Sequence, residues 1–180
     1  MLNEKSTELA PDGHPFILTT LQNRAGMRVV LMDWGATWLS CQVPLSDGSL
    51  REVLLGCATP ADYPHQSAYL GASIGRYANR IAHAQLTRNG VQTALIPNQG
   101  QHQLHGGPEG FHARRWRKVQ QDATQVTYML ISPDGDQGFP GQVTAQARYL
   151  LTEHNALDIE YSASAEKPSP VCLTNHAYFN

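Results

Sequence analysis

The sequence is short of charge. Lysine and arginine number 13 against 15 acidic residues, charged residues make up 16% of the chain, and the formal net charge is −2. A nucleic-acid or anionic-membrane surface needs a basic excess, so both partner classes are excluded as expectations. Positive charge gathers only at Arg114-Arg115-Trp116-Arg117-Lys118, a run that reads as a solvated strand edge rather than a phosphate site. Cysteine is scarce. Cys41, Cys57 and Cys172 are odd in number and far apart, fit neither a disulfide framework nor a zinc set, and read as reduced thiols of a cytoplasmic protein. No apolar run approaches the roughly 20 residues that cross a bilayer. Met1 to Gly13 is polar and lacks the apolar centre of a secretory signal. Also missing is any long segment with a period near 3.6.

What the chain does have is strands and turns. With 180 residues and 41% hydrophobic content it can bury a core as one domain spanning residues 1–180. Phe16–Leu21, Met27–Trp34, Ala36–Leu45 and Leu50–Cys57 read as successive strands, the last two joined by the turn Ser46-Asp47-Gly48-Ser49. Thr59–Gln66 contains two prolines and reads as loop. Gln85–Ile96 is a hairpin around Asn89-Gly90; Trp116–Gln121 with Gln125–Ile131, and Gln142–Thr152 with Ala156–Ala165, are two more. Lys167-Pro168-Ser169-Pro170 is a break, and Val171–Asn180 reads as a further strand that stops without turn or cap, as a piece of a longer protein would. Short strands separated by turns predict an all-β, antiparallel β-sandwich rather than βαβ units.

The chemistry-bearing stretch is Gln101 to His112, which holds His102, His105, His112 and the adjacent Gly106-Gly107. Glycine and proline exclude a helix there. Paired glycines let the backbone approach something closely, often a ligand, and imidazole is the side chain best suited to moving protons near neutral pH. Asn79-Arg80, with Arg76, is a second candidate: arginine donates in a fixed fork and asparagine both donates and accepts, a combination suited to hydroxyl groups. The third is Asn175-His176-Ala177-Tyr178, where strand alternation puts His176 and Tyr178 on one face with Thr174. Structural readings stand beside each: an arginine paired with a surface carboxylate, a loop histidine without a role, a buried histidine bonded to a carbonyl. A metal set of His102, His105 and His112 is a further alternative, although the loop has no helical geometry to align the ligands.

Five motifs in order, Asp33-Trp34-Gly35-Ala36, Gly75-Arg76-Tyr77-Ala78-Asn79-Arg80-Ile81, Gln103-Leu104-His105-Gly106-Gly107, Asp136-Gln137-Gly138-Phe139-Pro140-Gly141 and Leu173-Thr174-Asn175-His176-Ala177-Tyr178-Phe179-Asn180, resemble the aldose 1-epimerases, or galactose mutarotases, of the enterobacterial type. The resemblance implies the mutarotase supersandwich, incomplete in this chain. It also implies a cofactor-free, metal-free interconversion of the α- and β-anomers of free hexoses such as galactose and glucose. By similarity His176 is the general acid at the ring oxygen and His105 lies against the same oxygen. Asn79 and Arg80 hold sugar hydroxyls, with Arg76 and Tyr178 in support. The family's general base, a glutamate, and a sugar-gripping aspartate fall beyond Asn180, so the 180 residues alone are expected to show little or no catalysis. A sugar-binding β-sandwich without catalysis is the alternative reading. The preferred hexose and the oligomeric state are not legible.

Overall fold

The computed structural model describes residues 3–180; Met1 and Leu2 of the polar N-terminal stretch lie outside the described residues. A first antiparallel sheet runs in chain order through β1 (Asn3–Leu9), β2 (Pro15–Gln22), β3 (Arg28–Met32), β4 (Thr37–Pro44) and β5 (Leu50–Glu52). Short strands follow: β6 (Ser73–Ile74), β7 (Arg80–Ile81), β8 (Gln85–Arg88), β9 (Val91–Ala94) and β10 (Gln103–Leu104). A second antiparallel sheet is again in chain order: β11 (Arg117–Gln121), β12 (Gln125–Ser132), β13 (Val143–Leu151) and β14 (Leu157–Ala165). The last strand is β15 (Thr174–Asn175).

The two large sheets share one core. Leu21, Val29, Leu31, Trp38 and Cys41 come from the first sheet. Val126, Tyr128, Leu130, Val143, Ala145, Ala147, Tyr149 and Leu151 come from the second, and both sets pack in the same buried cluster. Along β13 every second residue is fully buried, the alternation that a half-buried strand requires. The all-β sandwich expected from the sequence is therefore present. The hairpin at Asn89-Gly90 is β8–β9, paired Arg88 to Val91 across the turn.

Several local expectations are corrected. Ladder pairing of the fourth expected strand, Leu50–Cys57, ends at Glu52, whose carboxylate accepts the Cys41 and Leu54 N–H groups at 2.7 and 3.1 Å. Within Thr59–Gln66 the residues Pro60–His65 form a 3₁₀ helix, started by the Asp62 carboxylate accepting the Thr59 N–H and hydroxyl, both at 2.9 Å. Val171–Asn180 keeps ladder geometry only at Thr174–Asn175. Elsewhere it moves between neighbours, donating from Cys172 to the Arg76 carbonyl, from His176 to Ala72 and from Asn180 to Val53. β1, with the sequence NEKSTEL, carries no apolar period by which it could be read as a strand.

The basic run is a solvated edge at Arg117, exposed on the edge strand β11, but not at Arg114 and Arg115. Arg114 forks onto Asp136, and Arg115 bridges Asp33 and Asp12, so both guanidiniums tie loops to the sandwich. The Arg115 guanidinium holds the Asp12 carboxyl down at about 2. Asp33 goes the other way: burial raises it, more than its bonds to the Ile17 N–H and Arg115 lower it.

Candidate active site

Two small ladders build the site. β7 pairs with β10, setting Leu104 opposite Arg80, so Asn79-Arg80 and Leu104-His105 leave the ladder side by side. β15 pairs with β6, setting Asn175 opposite Ser73. His176 follows directly, donating its N–H to the Ala72 carbonyl at 2.9 Å and accepting the Gly71 N–H at 3.0 Å. Behind this second ladder lies a hydroxyl cluster. Ser73 Oγ is 3.0 Å from the Tyr149 hydroxyl and 2.9 Å from that of Tyr161, and Tyr149 donates to the Ala36 carbonyl at 2.7 Å. Asn175 Nδ2 donates to the Gly71 carbonyl at 2.8 Å and to the Tyr149 hydroxyl at 3.3 Å. The Asn175 amide nitrogen is thus spent on structure, while His176 and Tyr178 both line a cleft, their rings stacked at 5.2 Å.

The result is a cleft of about 490 Å³ whose lining includes Asn79, Arg80, His105, Thr174, His176, Tyr178 and Tyr69. The rings of His105 and His176 stand 5.1 Å apart and nearly perpendicular, at 89°. His105 and Asn79 both have left-handed backbones, φ 52° and 64°, and they clamp one another. The Asn79 N–H donates to His105 Nδ1 at 3.0 Å, and the His105 N–H donates to the Asn79 carbonyl at 2.9 Å. A ring nitrogen that accepts a hydrogen bond is unprotonated, so neutral His105 carries its proton on Nε2. Burial, with His176 and Arg80 nearby, pulls His105 down to about 4. It is neutral at pH 7, a hydrogen-bond donor through Nε2. Arg80 is exposed, with Nε on Gln99 Oε1 at 2.7 Å and one terminal nitrogen on Asn79 Oδ1 at 3.0 Å. Arg80 and Asn79 therefore present a joined polar edge.

Arg76 is corrected. Its side chain is 1% exposed and its two terminal nitrogens donate to Pro140, Gly141, Ser132 and Pro133 carbonyls and to Ser132 and Ser169 hydroxyls, at 2.7 to 3.3 Å. It fastens the 132–141 loop instead of lining the cleft. The paired glycines are likewise explained by the chain itself. A Cβ on Gly106, at φ +85°, would fall 2.0 Å from the Gly75 carbonyl oxygen, and one on Gly107 would fall 2.7 Å from Gln137 Oε1.

The metal alternative does not assemble. His102 turns away from His105, its Nδ1 accepting the His83 N–H at 3.0 Å, and among the described residues no three His, Cys, Asp or Glu side chains come together around one point. Sequence reasoning missed Tyr69, whose only signal is an aromatic residue just ahead of the Gly75-Arg76 motif. Its ring lies 4.7 Å from His105, 4.8 Å from His112 and 5.8 Å from His176.

Comparison with known proteins identifies the family and the fold. The sequence profile of the aldose 1-epimerase family matches residues 18–180. The chain is 59% identical to the aldose 1-epimerase of Escherichia coli K12 over 180 residues, all of this chain and 52% of that protein. It is 37% identical to human galactose mutarotase over 155 residues, 86% of this chain and 44% of that protein. Among solved structures it resembles a C. elegans aldose epimerase homologue with a TM-score of 0.87 at 33% identity, covering 92% of this chain and 51% of that one. A galactose 1-epimerase from Lactobacillus acidophilus superposes with a TM-score of 0.85 at 29% identity, covering 99% and 53%. The chain spans about half the length of the curated relatives it matches. With the profile matched over most of its length, the chain belongs to the aldose 1-epimerase family.

Proposed function

We propose that these residues form the acid-side half of an active site that interconverts the α- and β-anomers of free hexoses. The observation that carries the reading is the pair of perpendicular imidazoles in one cleft, His105 and His176, with Asn79 and Arg80 at its polar edge.

Opening a hemiacetal requires that the bond from C1 to the ring oxygen break, that the ring oxygen gain a proton and that the anomeric hydroxyl lose one. His176 delivers the proton to the ring oxygen. His105, held neutral with Nε2–H free, donates a hydrogen bond to the same oxygen and stabilises the negative charge that develops there. Rotation about C1–C2 presents the other face of the aldehyde, and the reverse transfers close the ring. Positioned proton transfer of this kind contributes roughly 10²–10⁴ in rate. Asn79 and Arg80 hold sugar hydroxyls, and the Tyr178 ring, stacked on His176, supports the acid.

The described residues lining the cleft include no carboxylate. This supports a base, the glutamate that the family resemblance implies, beyond Asn180. We place the protein in the cytoplasm on the strength of its three free cysteines; no helix among the described residues is long and apolar enough to cross a membrane.

Polarimetric decay of fresh α-D-galactose tests the reading. The 180-residue chain is expected to match spontaneous mutarotation, and a chain extended to the length of its relatives to exceed it, with His176→Ala abolishing the excess. An extended chain that binds galactose by calorimetry yet never exceeds background would replace the enzyme with a sugar-binding module. A His176-dependent rate from the 180 residues alone would overturn the placement of the base.

A further inference from the structure

Tyr69 is the point where two cavities meet. On one side is the cleft just described. On the other is a second cavity, also about 490 Å³, lined by Trp34, Tyr63, Gln66, Glu109, His112 and Arg114 among others. Tyr69 and Ser67 line both, so the Tyr69 ring is a partition. It is also the centre of the imidazole cluster. It meets His105 and His112 edge-on, at 72° and 76°, and lies tilted by 34° against His176. Edge-to-face contacts at these separations are favourable for aromatic rings and fix their mutual angle.

The backbone holds the partition in place. Tyr69 sits at φ +57°, a left-handed conformation that a bulky residue rarely adopts. The turn it opens is closed by the Ala72 N–H on the Tyr69 carbonyl at 3.1 Å, and within that turn Gly71 and Ala72 bond to the backbone of His176. The residue is therefore tied to one imidazole through the backbone and to all three through its ring.

We propose that Tyr69 is a positioning residue: its ring fixes the His105 and His176 imidazoles relative to one another and screens them from the second cavity. The proposal rests on the two-imidazole reading above, but the ring geometry and the screening exist independently of catalysis. The groups facing His105 are Arg80 and the Asn79 backbone from the β7 side, His176 from the β15 side, His112 from the Phe111–Ala113 turn, and Tyr69 itself. Of these, Tyr69 alone contributes a phenol ring, and it stands between His105 and the second cavity as part of the wall that keeps water out. Without it the second cavity, which has Gln66, Glu109 and Arg114 in its lining, opens onto His105, and water reaches a ring now held well below its ordinary value by burial.

The test uses a chain extended to the length of its relatives, with NMR titration of the histidine rings and steady-state mutarotation measured together. Tyr69→Phe keeps the ring and is expected to leave both the His105 titration and the turnover within about twofold of the parent. Tyr69→Ala is expected to raise the His105 midpoint by about one pH unit and to lower kcat about tenfold, with KM changed less. Tyr69→Leu, which fills the space without a flat ring, serves if the alanine variant does not fold. It should keep most of the screening and still lose turnover. An unmoved His105 midpoint in Tyr69→Ala, or full turnover in Tyr69→Leu, would overturn the proposal. A moved midpoint in a protein without any mutarotase activity would instead leave the positioning intact and remove the enzymatic reading.

Discussion

At the scale of single residues, the site is governed by which polar groups have been spent. Asn175 and Arg76 lie inside two of the most distinctive motifs, yet their donors go to carbonyls and hydroxyls of the fold. His105 and Arg80 keep donors to spare. The His105 and His112 imidazoles are both pulled down to about 4, chiefly by burial. The sign follows directly. The unfolded chain binds protons at these rings near pH 6.5 and the folded chain only near 4, so stability is complete above about 6.5 and falls as the pH drops through that window. For the more deeply buried His112 the loss is on the order of 2 kcal/mol. Urea unfolding at pH 7 and at pH 4.5 should show it, and His112→Phe, which cannot take up the proton, should flatten the dependence. Arg76→Lys keeps the charge but replaces a planar fork with a single ammonium. It should cost about 2–3 kcal/mol, because the Ser132, Pro140 and Gly141 carbonyls lose a charged donor, and this is measurable as a lowered urea midpoint.

At the scale of elements, legibility followed the burial of faces. β2, β3 and β4, and the pair β12–β13, alternate or run apolar because they pack on the shared core, and the Asn89-Gly90 turn has chemistry that needs no tertiary context. β1 and the end of β5 were illegible or misjudged because side chains and edges, not apolar period, decide them. The site residues were visible as types in motifs. That His105, His176, Asn79 and Arg80 share a cleft while Arg76 does not depends on the β7–β10 and β6–β15 ladders, whose two-residue pairings carry no pattern a sequence can display. Tyr69 was missed for the same reason. The Gly75–Gly106 crossing is among the tightest of these encounters. Gly106→Ala places a methyl inside the Gly75 carbonyl and should cost several kcal/mol or prevent folding, seen as loss of the cooperative thermal transition. The Arg115 bridge acts between elements as well. Arg115→Ala strands the buried Asp33 and should cost about 3 kcal/mol, most of it recovered by adding Asp33→Asn if the stranded charge is the cause.

At the scale of the whole molecule, the first sheet ends on a short, wholly exposed strand, β5, and the second on β14, whose outward residues are uncovered. Phe179 is 66% exposed beside Leu55, itself about half exposed, the two segments being joined by the Leu55 N–H on the Tyr178 carbonyl. Apolar surface next to unsatisfied strand edges invites pairing. Sedimentation of the 180-residue chain should therefore show concentration-dependent association, reduced by Phe179→Ser, while the extended chain should not.

The cluster around Ser73 has a wider consequence. Tyr149 and Tyr161 belong to the second sheet, the Ala36 carbonyl to the approach to β4, and Asn175 to the ladder that carries His176. The layers of the sandwich and the segment that carries His176 thus hang from one joint. Any sliding of one layer over the other reaches His176 as a displacement before it is felt as unfolding. Heat should accordingly silence the imidazole pair some degrees below the global transition, with the sandwich still closed, and the working temperature of the site is set by the stiffness of that joint.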